Sequence, residues 1–480
     1  MMNSRALKPA RPPEIKPFSE AAVVGSSMSG LIAARVLTEH FERVTIVERD
    51  RMPAGPEFRK GVPQGRQPHI LLKRGQNILD ELFPGLSQEV LNAGAVSVNF
   101  GLDVEWFTHG GWRAHYDSKL VCNSSSRPLL ESTIHRRLSK HPRVRFMEQT
   151  EVTGLCVDSS GSRAKGVQVR TGAGRQIEDV PAELVVDASG RDSRAPEWLE
   201  CLGYTPPEKT TINGFPGYAT RIYQRPPSFA ETWKAIYIQP TPPDVKRGGA
   251  ILPLEGDTWQ VVMIGMGGDY PPIDEAGYLE YARTLPSLKV YEAIEGARPL
   301  TSICGYRRAE NVMFHYERLP RYLENFLVFG DALCSFNPVY AQGMSVAAIS
   351  GRMLDECLRE HRLSHPAGDL SGLAMKAQRE LAKVADGPWQ MATAEDRRWS
   401  GIASGGRDSQ PDPAEEMMYR YMRQVMVATL TDPEVTETFY LVMHMIEPPT
   451  LFFNPDVVLR VFATVPEPAV KGGRVAAETT

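Results

Sequence analysis

The apolar residues of this chain fall into short blocks whose spacing changes along its length. Ala21–Val24 is an apolar run with strand propensity. It is followed by Gly25-Ser26-Ser27-Met28-Ser29-Gly30 and then by Leu31-Ile32-Ala33-Ala34-Arg35-Val36-Leu37, apolar on most faces of a helix. Val44–Val47 is a second strand block and ends at Glu48. Strand, glycine-rich turn, helix, strand and acidic residue in this order predict a βαβ unit of the dinucleotide-binding type.

Later blocks extend the pattern. A helix is predicted over Ile70–Leu82, ending at the turn Phe83-Pro84-Gly85, and strands within 102–122 turn at Gly110-Gly111. Arg127-Pro128 opens another helix with proline in its first turn. Val144–Val186 reads as a β-meander that closes on the apolar strand Leu184-Val185-Val186. Tyr218–Tyr223, Lys234–Ile238, Gly249–Leu254 and Trp259–Met266 predict an antiparallel sheet with a turn at Gly256-Asp257. Phe326–Phe329 returns to the buried-strand pattern, a helix follows over Gly343–Leu358, and residues 372–460 read as mainly helical.

Composition narrows the classes. Of 480 residues 42% are hydrophobic and 23% charged, which suits a globular chain and excludes global disorder, collagen or coiled coil. The net charge of −4, from 54 basic and 58 acidic residues, argues against a nucleic-acid-coating protein. The six cysteines (Cys122, Cys156, Cys201, Cys304, Cys334 and Cys357) show no CxxC spacing, so no zinc or other metal site is expected, and reduced thiols are. No apolar run reaches the ~18 residues of a membrane span. Residues 1–20 carry Arg5, Lys8, Arg11 and Lys16 without an apolar segment and read as a flexible tail, as do residues 466–480. A cytoplasmic protein is the resulting expectation. His361 and His365, four apart near a helix end, read as surface residues.

Three motifs carry the candidate chemistry. Gly25–Gly30 keeps the G-x-G-x-x-G spacing with Ser26 in place of the second glycine, so Gly25, Ser26, Ser27, Met28, Ser29 and Gly30 are set to cradle phosphates at a helix N-terminus. Glu48 is placed to accept hydrogen bonds from ribose hydroxyls, with Arg49 beside it. A nucleophile elbow does not fit, because Ser29 follows Gly25-x-Ser27 where glycine is needed. The second motif is Gly330-Asp331, leading into Pro338-Val339-Tyr340-Ala341-Gln342-Gly343-Met344; the third is Asp187-Ala188-Ser189-Gly190-Arg191. The loop Arg59-Lys60-Gly61-Val62 and Arg127 add basic groups.

Together these motifs resemble the flavoprotein monooxygenases of the p-hydroxybenzoate hydroxylase and squalene epoxidase superfamily. The loop Arg59–His69 is most similar to that of bacterial polyene epoxidases of polyether biosynthesis. The resemblance implies an α/β fold: a Rossmann-like FAD-binding domain from residues 21–100, 123–195 and 300–370. An antiparallel-sheet substrate domain (101–122 and 196–299) is interleaved with it, and a helical region (371–465) follows. It implies that Asp331 bonds the ribityl chain, that Pro338, Ala341, Gly343 and Met344 lie by the flavin ring, and that Arg127 opens a helix under the adenine and pyrophosphate. Asp187 and Ala188 would contact FAD, although Ala188-Ser189 departs from the family's Asp-Gly pairing, and Ala341 stands where the family commonly has glycine.

The implied activity is insertion of one oxygen from O2, through a C4a-hydroperoxyflavin, into an apolar natural product, foremost by alkene epoxidation. Electrons would come from NAD(P)H, directly or through a separate flavin reductase. Tyr218, Arg221, Tyr223, Trp259 and Met263 are the candidate pocket residues. Hydroxylation, double-bond reduction and a flavin-binding protein without turnover are the alternatives. The W-x-W-x-I-P run of flavin halogenases is missing, Trp106 and Trp112 being too far apart.

Overall fold

A computed structural model describes residues 17–464 apart from 173, 175, 367 and 400–412. Both expected tails fall largely outside these residues. Structure starts at Phe18 rather than Ala21, because Phe18 pairs with Phe41 across the first two strands, ring centroids 5.2 Å apart.

A five-stranded sheet forms the first core. Its order is Phe326–Val328, Leu184–Asp187, Phe18–Val24, Phe41–Val47, Val144–Met147. Every pair is parallel. Ala22, Val23, Val185, Val186 and Leu327 are fully buried, as strands covered on both faces require. The helix Met28–Leu37 crosses the helix Gly343–Ser364 closely at Gly351, where a Cβ would meet Ile32 Cγ2 at 2.4 Å.

The meander expected over 144–186 is only partly formed. Thr150–Val157, Ala164–Thr171 and Ile177–Pro181 make a small antiparallel sheet, but Val144–Met147 and Leu184–Asp187 join the parallel one. Their apolar runs are read equally well by either sheet, and only the long-range pairing with Phe18–Val24 and Phe41–Val47 decides.

The second large sheet has seven strands in the order Cys304–Tyr306, Gly217–Gln224, Thr258–Gly265, Arg247–Leu254, Ala235–Ile238, Val104–Thr108, Gly111–Trp112. All pairs are antiparallel except Ala235–Ile238 with Val104–Thr108. The turn at Gly256-Asp257 is present, both residues having positive φ. Helices Glu275–Arg283 and Lys289–Ile294 cover its back. Lys209–Ile212 leaves this sheet and pairs with Asn311–Phe314.

The C-terminal part is helical: Leu373–Asp396, Pro413–Ala428, Pro433–Met443 and Pro455–Ala463. The helix from Gly343 runs on to Ser364, which buries His361 (4% exposed) against the Asp369 carbonyl at 2.7 Å. His361 is therefore not the surface residue expected; His365, stacked on it, is exposed. Among the described residues no helix is long and apolar enough to cross a membrane and no acidic, His or Cys group could hold a metal, while all six cysteines are free.

Candidate cofactor site and the sheet that faces it

Gly25, Asp187 and Gly330 stand at the C-terminal ends of neighbouring parallel strands, the edge where open α/β sheets bind ligands. The three motifs touch. A Cβ on Gly25 (φ +93) would sit 2.9 Å from the Ala188 carbonyl oxygen. One on Gly330 (φ +65) would sit 2.2 Å from Ser29 Oγ, and one on Gly30 would sit 2.0 Å from the Gly25 carbonyl oxygen. The Ser27 side chain does not cap the helix Met28–Leu37, so no side chain takes up its first N–H groups. Instead, Ser27 Oγ accepts from Arg127 Nη2 at 2.8 Å. Met28 is buried beneath.

A buried charge network lies beside this turn. Glu48 accepts from Ser26 N (2.9 Å), Ser26 Oγ (2.7 Å) and Asp50 N (2.9 Å), and pairs with Arg59 Nη1 at 2.9 Å. Serine in the second glycine position is thus tied to the acidic residue at the end of the next strand. Arg59 also reaches Glu131 (2.6 Å) and the Ser26 carbonyl (3.0 Å), while Arg127 pairs with Glu131 at 2.8 Å. Burial alone would raise the Glu131 carboxyl, but Arg127 and Arg59 more than offset it and hold it below the usual range. Glu48 behaves alike, with Arg59 and the hydrogen bonds overcoming burial. Glu131 was missed in the sequence, although its i,i+4 spacing from Arg127 was a readable signal. Of the remaining loop residues, Arg49 and Lys60 are exposed and Val62 is buried. The backbone N–H of Gly61 donates to Asp50 Oδ2 at 2.6 Å.

The second half of the site surrounds Asp331. Its partly exposed carboxylate receives no hydrogen bond from any described residue, and burial raises its pKa although Arg191 and Arg127 oppose this. A Cβ on Gly343 would lie 3.7 Å from Asp331 Oδ1, so the carboxylate overlooks the start of the helix Gly343–Ser364. That start has no side-chain cap, and the Gln342 Oε1 beside it is buried without a partner. Ala341 holds the left-handed conformation (φ +54) that glycine adopts without strain. Pro338 opens the turn before it, and Met344 is buried behind it.

Asp187 sits differently from its expected role. It is fully buried and accepts from Ser189 N (3.0 Å) and Ser193 Oγ (2.5 Å), so its carboxylate shapes its own turn. Ala188 meets Gly25 through backbone. From the same motif, Arg191 donates to the carbonyls of Glu310 (2.9 Å) and Phe336 (2.6 Å) and braces the segment leading to Pro338.

That segment is held from a second side by Asp396, at the end of the helix Leu373–Asp396. Asp396 is fully buried and accepts from Asn311 Nδ2 (2.7 Å), Asn337 Nδ2 (3.1 Å) and the Tyr340 hydroxyl (2.5 Å); Tyr218 donates to Asn337 Oδ1 at 2.5 Å. Burial pushes the Asp396 carboxyl up to about 6 against these donors. Lying far downstream in a helical stretch, Asp396 gave no local signal of this role.

The residues present fit a flavin dinucleotide. An uncapped helix start beside Arg127 suits a diphosphate. An unbonded carboxylate at Asp331 suits sugar-alcohol hydroxyls, and the uncapped start at Gly343 suits an electron-rich ring edge. Glu48 is already saturated, so a ribose hydroxyl would compete there with Arg59.

The seven-stranded sheet presents one face to this loop. Tyr218, Ala250, Val262 and Ile264 pack with Val339 of the loop and with Trp399. Of the five expected pocket residues, only Tyr218 lies there. Tyr223, Trp259 and Met263 point to the opposite face and pack with Tyr278 and Tyr281 in a separate core. Arg221 pairs with Glu275 behind the sheet at 2.5 Å. The strand period of two puts residues 218 and 262 on one face and 221, 223, 259 and 263 on the other.

Comparison with known proteins bears on the fold and the family. Over 459 residues the chain is 29% identical to Protein Rv3254 of Mycobacterium tuberculosis, with 92% of each chain covered. The fold is similar to that of the flavin-dependent brominase Bmp2 (TM-score 0.60, 15% identity, 92% of each chain). It is also similar to that of PqsL, a probable FAD-dependent monooxygenase from Pseudomonas aeruginosa (TM-score 0.56, 16% identity, 79% of this chain and 97% of that one). Residues 19–360 match the family described as FAD binding domain, and the chain belongs to that family.

Proposed function

We propose that the protein is an FAD-dependent monooxygenase acting on an apolar natural product, with alkene epoxidation as its reaction. The observation that carries this reading is the apolar sheet face (Tyr218, Ala250, Val262, Ile264) set directly against Val339 of the loop beside Asp331 and Gly343. An apolar substrate held there is kept from water and positioned beside the ring.

Bound FAD supplies the redox chemistry, activating O2 with two electrons taken from NAD(P)H, directly or through a separate reductase. One oxygen atom enters the substrate and the other leaves as water. The chain's own part is binding and orientation. Arg127 and the start of Met28–Leu37 hold phosphate, Asp331 holds the ribityl hydroxyls, and the N–H groups at Gly343 and Met344 favour negative charge at the ring edge. Asn337 and Tyr340, fixed by Asp396, set where the loop stands.

The purified protein should be yellow with FAD. Incubated with reduced FAD, heavy-isotope dioxygen and an apolar polyene, it should give a product carrying one labelled oxygen atom. A product that gains two hydrogens without oxygen would replace this reading with a double-bond reductase. The likeness to the brominase supports a second reading: a halogenated product appearing only with added bromide or chloride would establish it.

A further inference from the structure

Arg113 follows the hairpin Val104–Trp112 and is 7% exposed. Its guanidinium lies in the corner of two nearly perpendicular rings, Trp106 (3.8 Å to the centroid) and Phe439 (3.9 Å), whose planes meet at 86° with their centroids 5.8 Å apart; Tyr440 is at 5.6 Å. Among the described residues no carboxylate pairs with it. Its Nε and Nη1 are buried without a hydrogen-bond partner, and Nη2 reaches the Met426 thioether at 3.8 Å, one of the weakest acceptors a protein offers; the Tyr440 hydroxyl is the other polar group facing the guanidinium. Burial pushes it down to about 10, Tyr440 and Tyr237 opposing. His109, on the same hairpin, is pushed down to about 4 by burial and then by Arg113, Arg423 and Arg398, while Glu437 and Glu395 act on the neighbouring Tyr440 and Tyr237. A buried cation left this way is costly unless something completes it.

The position relative to the loop says what would complete it. Thr220, Val262, Ala250, Tyr237 and Trp106 are cross-strand partners in one unbroken row over five strands. At the usual strand spacing that row spans about 19 Å. At one end Thr220 donates to Gln67 Oε1 at 2.6 Å, and Tyr218 of the same strand packs in one cluster with Val339; at the other end the Trp106 ring lies against Arg113. Tyr237 joins both clusters, its ring 5.0 Å from that of Trp106.

We propose that Arg113 binds a carboxylate at the far end of an elongated apolar substrate whose reacting end lies beside Pro338–Gly343. The substrate class is thus a long, unsaturated carboxylic acid, an inference that rests on the sheet face being the substrate surface. The unpartnered Nε and Nη1 and the weakly held Nη2 are the N–H groups open to an acid, which takes the place of the flexible Met426 side chain.

The test uses the FAD-loaded full chain and a graded series of straight-chain unsaturated fatty acids with their matching alcohols, titrated by calorimetry. At the chain length that spans the row, the acid should bind at least about tenfold more tightly than the alcohol. Arg113→Met should abolish that preference and leave the alcohol's affinity unchanged. Phe439→Leu, which removes one of the two rings against the guanidinium but keeps the cation, should retain the preference. No acid preference at any length, its survival in Arg113→Met, or its loss in Phe439→Leu would each overturn the proposal. FAD uptake and oxygen-dependent turnover are read on the same preparation. If they persist without acid preference, only the anchor fails; if FAD is not taken up, the reading beneath it fails.

Discussion

Asp396 shows how much a single side chain can organise. It ties Asn311, Asn337 and Tyr340 together behind the loop Pro338–Gly343, and burial raises it to about 6. The native state therefore holds this proton more tightly than an unfolded chain, in which the group titrates near about 3.9. Its stabilising contribution is full below that value and is lost as pH rises through about 6. Asp396→Asn removes this slope: the stability difference between about pH 5 and about pH 8, measured by urea denaturation, should shrink relative to the parent. Glu131 has the opposite sign. Arg127 and Arg59 hold it low, so its contribution is present above about 4.3 and is lost as pH falls through its lower native value. Glu131→Gln leaves Arg127 without its carboxylate partner and Arg59 with Glu48 and the more distant Asp50. It should cost on the order of 3 kcal/mol in denaturation and weaken FAD binding.

At the scale of elements, the turn joining the strand Phe18–Val24 to the helix Met28–Leu37 leaves no room at Gly30, where a Cβ would fall 2.0 Å from the Gly25 carbonyl oxygen. The blocking atom is backbone, so Gly30→Ala must move the helix away from the strand. A protein that folds with a depressed melting temperature and no longer retains FAD through gel filtration is the expected result; yellow protein eluting as the parent does would show that the turn is dispensable. This element was legible in the sequence because its signals are local: a glycine turn between an apolar run and a helix-period block. The helix from Arg127 was legible for the same reason, through Pro128; in the structure Ser126 caps it, accepting from Leu129 N. Val144–Met147 and Leu184–Asp187 were not. Their apolar runs fit a meander or a parallel sheet, and the choice rests on partners about 100 or more residues away. Asp187 illustrates the same limit for chemistry: a carboxylate at a strand end reads as a ligand contact, but Ser189 and Ser193 occupy it.

For the whole molecule, the decisive feature is that one sheet serves two unlike environments. Its front meets Val339 of the loop Pro338–Gly343, and its back closes on Tyr278 and Tyr281. Sequence alone located four of the seven strands of this sheet, but naming Tyr223, Trp259 and Met263 as pocket residues ignored which face each register position serves. The front was only half read because its remaining wall comes from Val339 and Trp399, distant in the chain. This division predicts that stability and catalysis separate by face. Met263 is fully buried at the back, so Met263→Ala should lose about 2–5 kcal/mol in denaturation. Its folded fraction should turn substrate over to the same product at an unchanged kcat/KM. Ala250 lies in the front row between Tyr237 and Val262. Ala250→Leu adds bulk where the substrate would lie, so kcat/KM should fall at least about tenfold, an effect beyond its stability cost of about 1–3 kcal/mol. Measuring both quantities on both variants decides the matter. A changed product from Met263→Ala, or an unaltered kcat/KM from Ala250→Leu, would place the substrate somewhere other than this face.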